Sequence, residues 1–563
     1  MEKNDENNVV QNQEVSDTSS KKVLDSDSSS TDSQQVQKQK KGKKGFLRFV
    51  IVVLICTIGF SGFLYANKLK GTEKVETKTK NVTSNYRMSG NDLSEFDLSF
   101  LKLENEAKNK IYSPLSIKYA LEMVAEGANG DTKKEIDAVV GEYKAKSYTN
   151  SPNMSFANAM FIRDTYKDNV KSDYTTKLST KYNAEVRLDP FASPDNINSW
   201  VKEKTLGLID NAVDDVSQND FFLINALAID MNWNNQIHCA VGSEVPCLVN
   251  NYHIKYHHEK IKDDDKWAYS NTSYEYTDFP KMDFEGQEGK FEYSQVLADF
   301  NRYDIITELG EDKIREEVTA AYNEWLKEGD NSNYQWYDSN IVPHVATEVD
   351  LYIDNYMEQL KSNYNSAINN TDFYLYTDNN VKVFAKDLKE YDGLNLQYVG
   401  IMPKEQELTK YIDNVKAKDI SDIISNLKEV KIDNFKEGVV TIIHGNIPFF
   451  KYDYELSLME DLQKLGIKKA FTKDADLSNM VKGPASLNKA IHKANIEFSN
   501  DGIKAGAITA MGGAGAATGG FEYLFKVPVE EIDLDFNKPY MYIIRDKSSG
   551  EVWFAGSVYQ PGK

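Results

Sequence analysis

Cysteine is nearly absent, with three in 563 residues. So few cysteines cannot make a disulfide framework that carries the fold. Basic residues are short of acidic ones, 66 against 87, for a formal net charge of -21. Phosphate contacts need stripes of Lys and Arg, so nucleic acid is excluded as a partner. No GxSxG elbow occurs, which removes the usual signature of an α/β-hydrolase nucleophile. Abundant Tyr, Asn, Lys and Asp are compatible with an AT-rich bacterial genome. The length allows two or three domains, or one large domain with additions.

Long hydrophobic runs are also scarce, and the one that is present stands near the start, in "GFLRFVIVVLICTIGFSGFLYANKLKG". Residues 1–44 before it are Ser, Gln, Asn, Asp and Lys with few large apolar side chains, and read as a disordered tail. From Phe46 to Ala66 the run has about 21 residues, enough to span a bilayer as a helix. A cleaved signal peptide is the competing reading, but its leading segment is too long and no A-x-A site follows. A lipoprotein site at Cys56 is disfavoured by bulky Ile55. Lys38, Lys40, Lys41, Lys43, Lys44 and Arg48 flank the N-terminal side. This excess predicts a single-pass anchor over 45–66, with a cytoplasmic N-terminus and an extracellular bulk joined through a stalk at 67–88.

From about Asn91 the pattern turns globular. "SPLSIKYALEMVAEGANGDTKKEIDAVV" predicts two helices, with Ser113 as N-cap and Pro114 in the first turn. "SFANAMFIRDTY" alternates as a strand, and "DFFLINALAIDMNW" is an apolar run of strand type. "PYMYIIRD" and "GEVWFAGSVYQP" predict a closing hairpin around "DKSSG". Helices come early and strands late, which indicates an α+β class.

Seven segments in this order resemble the serpins: "IYSPLSIKYALEMVAEGANGDTKKEI", "INSWVKEKT", "INALAIDMNW", "FFKYDYELSLMEDLQKLGIKKAF", "ADLSNM", "LNKAIHKANIEFSNDGIKAGAITA" and "FNKPYMYIIRDKSSGEVWFAGSVYQP". The resemblance covers 89–235 and 371–563. It implies a large mixed central sheet, two further sheets, roughly eight to nine helices packed in layers and an exposed reactive-centre loop, here 502–534. It also implies a function. A target protease cleaves the loop and is held as a covalent acyl complex while the loop inserts into the central sheet. No cofactor or metal is implied, and the protein is expected to be an inhibitor rather than an enzyme, acting as a monomer.

The loop residues fit that role. Gly502 supplies a bend. Ile503, Ala505, Ala507 and Thr509 then share one strand face, while Lys504, Gly506 and Ile508 share the other. The first face carries no charge, as a strand entering a closed sheet requires. Ile503 departs from the family's usual Thr or Ser, which favours slower insertion. A flexible Gly/Ala linker is the plain alternative for the stretch taken alone. Counting forward from Gly502 sets the scissile bond at Ala516–Ala517; counting back from "NKP" sets it at Lys526–Val527. The difference marks an insertion in the loop. Ten extra residues on the protease-bearing side would leave about 33 Å of slack, so the earlier bond is preferred. Small residues there suit an elastase- or subtilisin-like protease.

Four further positions match what the family calls the shutter: Ser113, Ser116, Asn225 and His492. Trp233 matches the breach where the loop enters. Simple core packing is the alternative for each. Residues 236–370 match nothing and read as an inserted helical subdomain, dense in aromatics such as Trp325 and Trp336, that could bind a partner or a polysaccharide. Within it, Cys239 and Cys247 lie near His238, His253, His257 and His258. A local disulfide is the leading reading, ahead of free thiols and of a metal site. Two functions follow, an anchored extracellular protease inhibitor and a non-inhibitory surface binding or adhesion module. A metal-dependent surface enzyme is a third, resting on the Cys/His cluster alone.

Overall fold

The strand Phe221–Ile229 reads as an unbroken apolar run because both of its faces are covered. All nine residues are buried. Phe221, Leu223, Leu227 and Ile229 face the main core, while Phe222, Ile224, Ala226 and Ala228 face a second cluster built on Ile197, Trp200 and Val213. The helix Asp195–Lys204 provides that second cover. The computed structural model describes residues 50–58 and 93–561, apart from 142, 208, 236–251, 257–258, 261–266, 270–273, 279–292, 330, 338–342, 346, 363–365, 369–371, 500–501, 504–520, 522 and 524. The tail at 1–44 and the stalk at 67–88 lie outside the described residues.

Three sheets dominate. A six-stranded sheet runs in the order Phe450–Ser457, Leu487–Phe498, Val50–Ile58, Phe221–Ile229, Met154–Arg163, Ala184–Asp189. Only its last pair is parallel, so the sheet is mixed. A seven-stranded sheet contains the closing hairpin Tyr540–Asp546 and Val552–Val558. A four-stranded sheet orders Ser366–Ile368, Tyr293–Asn301, Val440–Pro448 and Val529–Asp533. The described residues hold eleven α-helices, three of them between Asn301 and Ser366.

Two expectations are corrected. The first is the membrane-spanning helix: Val50–Ile58 is a strand, and no helix among the described residues is long and apolar enough to cross a membrane. Seven of its nine residues are β-branched. Such residues pack well on a pleated surface and lose rotamer freedom in a helix. An apolar run of this length suits a strand covered on both faces as well as a helix. The second concerns 236–370, which is not one inserted body. Tyr293–Asn301 pairs along its whole length with Val440–Pro448, so it belongs to the four-stranded sheet. The helices Ile305–Leu309, Glu311–Trp325 and Val349–Ser362 follow it.

The helix Pro114–Gly127 lies in the main core with twelve of its fourteen residues buried. It starts as its sequence predicts: the Ser113 side chain accepts the Ser116 N–H at 3.0 Å, and Pro114 fills a position where no N–H is needed. Its Lys118 forms a buried ion pair with Asp97 at 2.7 Å. Asp97 also accepts the Ser94 N–H and hydroxyl, closing the first turn of the helix Glu95–Leu103. One charge thus ties two helices together. Lys118→Met should cost about 3–5 kcal/mol in urea unfolding, because it leaves Asp97 buried and unpaired; a loss below about 1 kcal/mol would show that the pair is dispensable.

Candidate functional site

Val50–Ile58 runs antiparallel to both of its neighbours, Phe221–Ile229 and Leu487–Phe498. Its central residue, Leu54, stands opposite Asn225 on one side and His492 on the other. Asn158 continues the same rung beyond Asn225. Asn225 therefore sits in the row of alternate residues that faces the main core, an amide among Leu and Phe. Its Nδ2 donates to Asn158 Oδ1 at 2.8 Å, and Asn158 Nδ2 donates to the Tyr182 carbonyl at 2.9 Å.

On the far side of Leu54, the Ser113 N–H donates to His492 Nε2 at 2.9 Å. Accepting at Nε2 makes the ring neutral with its proton on Nδ1. Burial alone pushes the imidazole down to about 3. The structure thus brings Ser113, Ser116 and His492 together. It places Asn225 on the same rung but about two strand spacings, roughly 9.6 Å, from His492. Asn225 Oδ1, His492 Nδ1 and Ser116 Oγ are buried and have no hydrogen-bond partner among the described residues. An unpaired buried polar atom costs about 1–3 kcal/mol. With the intervening strand withdrawn and the seam closed, Asn225 and His492 would lie one strand spacing apart, about 4.8 Å. As a nucleophile–base pair the group does not work: the imidazole is committed to a backbone N–H, and the Ser113 side chain caps a helix.

At the head of the sheet, Trp233 Nε1 donates to the Ser499 carbonyl at 2.9 Å, and the indole packs edge-on against Phe498 and Tyr398. Ser499 in turn donates its N–H and hydroxyl to the Gly502 carbonyl. This turn delivers Gly502–Ile503 into antiparallel pairing with Met231–Asn232. Ile503 is fully buried and joins the main core. A Cβ on residue 502 would lie 2.5 Å from both Asn232 Cα and the Met231 carbonyl oxygen, so only glycine lets the two backbones meet.

The register at this point bears on the rest of the loop. Continued from Gly502↔Asn232 and Ile503↔Met231, an antiparallel strand would set Ala505 against Ile229 and Gly513 against Phe221. Those are the partners that Val50 and Ile58 have now. The apolar strand fills, residue for residue, the seam that lies ahead of the hinge.

Beyond the loop, Phe525–Val527 pairs with Trp267–Tyr269, and Val529–Asp533 runs parallel to Val440–His444. Val527 is buried, so the Lys526–Val527 bond lies inside a paired strand. Lys504, Ala505, Gly506, Ala507, Ile508 and Thr509 lie outside the described residues, as do Ala516, Ala517, Cys239 and Cys247. Sequence reasoning missed Asn158 and Ser499, whose roles depend on a neighbouring strand and on a backbone carbonyl. Neither leaves a mark in a single sequence. The aromatics that sequence reasoning offered for binding a polysaccharide pack partly on one another: Trp325 lies against Tyr322 and Trp336 against Tyr352.

Two outcomes are expected here. Gly502→Ala should raise hydrogen exchange across 499–503 by about tenfold or more, because backbone atoms cannot yield to a methyl; unchanged exchange would mean the hinge is not paired at the sheet. The second concerns pH. Folded His492 stays neutral down to about 3, whereas an unfolded histidine protonates near about 6.5. Between those values the unfolded chain binds the extra proton, so stability falls as pH falls, by up to about 1.4 kcal/mol per unit. Urea midpoints between pH 7.5 and 5 should show that slope, and His492→Gln should flatten it.

The comparisons agree with this geometry. The family model described as serpin (serine protease inhibitor) matches residues 93–289 and 369–561. The stretch it leaves unmatched is therefore narrower than 236–370. Neuroserpin of Mus musculus is 23% identical over 488 residues, covering 82% of this chain and 88% of that protein. Serpin B4 of Homo sapiens is 22% identical over 517 residues, covering 84% of this chain and all of that protein. The native-state structure of tengpin, a thermophilic serpin, aligns with a TM-score of 0.50 at 18% identity, covering 88% of this chain and 97% of that one. With the family model matched over well more than half of its length, this chain belongs to the serpin family.

Proposed function

We propose that the chain is a suicide-substrate inhibitor of an extracellular serine protease, with cysteine proteases as a secondary target class. The protease's nucleophile attacks a carbonyl in the exposed loop and the downstream amine leaves. The resulting acyl-enzyme stays attached to the upstream limb, which ends near Ala516. That limb then enters the central sheet from Ile503 onward and carries the protease with it.

One observation carries this reading. Between Phe221–Ile229 and Leu487–Phe498 the sheet accommodates a strand over nine residues, in the direction and register that the hinge leads to. The seam can therefore open and take a strand. The same observation sets a condition, because Val50–Ile58 must leave before the loop can follow. A bilayer can bury this apolar run as well as the sheet can, and its lysine flank favours the single-pass orientation, with the serpin fold outside the cell. In this reading membrane anchoring withdraws the strand and arms the inhibitor, which acts as a monomer on one protease.

A non-inhibitory surface binding module is the second reading, and the filled seam favours it: with six strands in place the loop has no slot. Incubating the full chain with elastase-, subtilisin-, trypsin- and papain-like proteases separates the two. Leu54→Pro removes an N–H from a central strand and should expel it. The inhibitor reading expects SDS-stable complexes to rise by about tenfold in that variant, or in lipid vesicles, and expects cleaved protein to melt higher than intact protein. If no protease forms a complex under either condition and cleavage leaves the melting temperature unchanged, the chain is a binding module.

A further inference from the structure

The downstream limb of the loop is longer than the family requires, and its first described residues do not lie free. Phe521 is buried in a socket of four aromatic rings. Tyr322 meets it edge-on at 5.0 Å between centroids, and Trp325, Tyr352 and Tyr356 lie at 5.9, 6.1 and 6.1 Å. Every one of these rings comes from the helices Glu311–Trp325 and Val349–Ser362, which lie between the two segments that match the family. Tyr322 and Tyr352 stack face to face at 4.1 Å, which makes the socket rigid before the phenylalanine is added.

Backbone contacts extend the grip. Tyr352 Oη donates to the Phe521 carbonyl at 3.2 Å. Tyr356 Oη lies within hydrogen-bond distance of both the carbonyl and the N–H of Tyr523. The Tyr523 hydroxyl donates to Glu317 at 2.9 Å. Phe525 and Val527 are then buried against Ile314, Val318, Ile353 and Met357, beside Val440 and Ile442 of the four-stranded sheet. From Val529 onward the limb is a strand of that sheet. A protease binds several extended residues on each side of the bond it cuts, and a limb held by side chains and backbone together cannot offer them.

We infer that the inserted helices are a clamp for the downstream limb of the loop. They confine cleavage to residues before Phe521. Tyr322, Trp325, Tyr352, Tyr356 and Glu317 are positioning residues, acting through Phe521 and Tyr523. The clamp also sets a specificity rule for the target. Cleavage at Ala516–Ala517 would leave Ala517, Thr518, Gly519 and Gly520 between the cut and the anchored ring. That favours endoproteases with a short downstream cleft and disfavours those that need a long extended stretch after the bond. The inference rests on the loop assignment of 504–520 but not on inhibition itself.

Limited digestion of the full chain by trypsin tests it, because Lys526 follows the anchored residues and the only basic residue in 503–525 is Lys504. In the native chain the bond after Lys526 should resist trypsin while elastase cuts upstream of Phe521. In Phe521→Ala, and in the double variant Tyr352→Ala/Tyr356→Ala, cleavage after Lys526 should speed up by about a hundredfold, because loss of a buried ring raises the open fraction on which proteolysis acts. Cleavage at sites elsewhere and the main melting transition should stay as they were. Tyr356→Phe, which keeps the ring, should retain most of the protection. Rapid native cleavage after Lys526, or equal rates in native and variant chains, would overturn the clamp. Full protection with no covalent complex from any protease would leave the clamp standing and remove the inhibitor reading.

Discussion

Two strands that run parallel, with a strand-wide seam between them, set the terms for the rest of this molecule. Phe221–Ile229 and Leu487–Phe498 each present a row of backbone N–H and C=O groups to the seam, and buried groups of that kind must find partners. There are three ways to satisfy them: close the seam, fill it from the N-terminal apolar run, or fill it from the loop. The structure holds the second arrangement. Its cost is visible at Asn225, His492 and Ser116, whose polar atoms are buried with no hydrogen-bond partner among the described residues. Its gain is a continuous ladder with an apolar strand at its centre. A seam that more than one segment could fill is a place where binding of the filling strand elsewhere would shift the arrangement.

The same constraint organises the head of the sheet. Trp233, Ser499 and Gly502 turn the chain sharply after Phe498 so that Ile503 lies against Met231, already within the ladder. Gly502–Ile503 is therefore not a free linker but a paired rung at the head of the sheet. Bulky Ile503 fits because the position is fully buried and joins the core.

At the other end of the loop the chain solves a different problem. An extended loop limb is long enough to expose a row of aromatic residues, and exposed aromatics in an extended segment invite pairing with other chains. The inserted helices bury Phe521, Phe525 and Val527, while His444 and Glu531, 2.7 Å apart, help fasten the strand that follows. Gly445 completes the attachment: a side chain there would meet the Leu534 backbone at 2.6 Å. Both limbs of the loop are thus held close to the residues that leave the body of the protein.

Much of this could be read from the residues alone. Ser113 and Pro114 start their helix for reasons local to four residues, and the closing hairpin follows from alternation around a turn. Seven collinear segments carried the fold class by their resemblance to the serpins, with no single segment decisive. The buried positions of Ser113, Ser116, Asn225 and His492 were legible only through the resemblance to the serpins, whose matching residues form a buried polar cluster. What Val50–Ile58 pairs with was not legible, because an uninterrupted apolar run satisfies a bilayer and a two-sided sheet equally well, and only the presence of an open seam of matching length decides between them. Nor could the sequence indicate that the aromatics of the inserted helices face Phe521, almost 200 residues further along the chain from Tyr322. Periodicity reports which face of an element is apolar, and packing alone determines what that face meets.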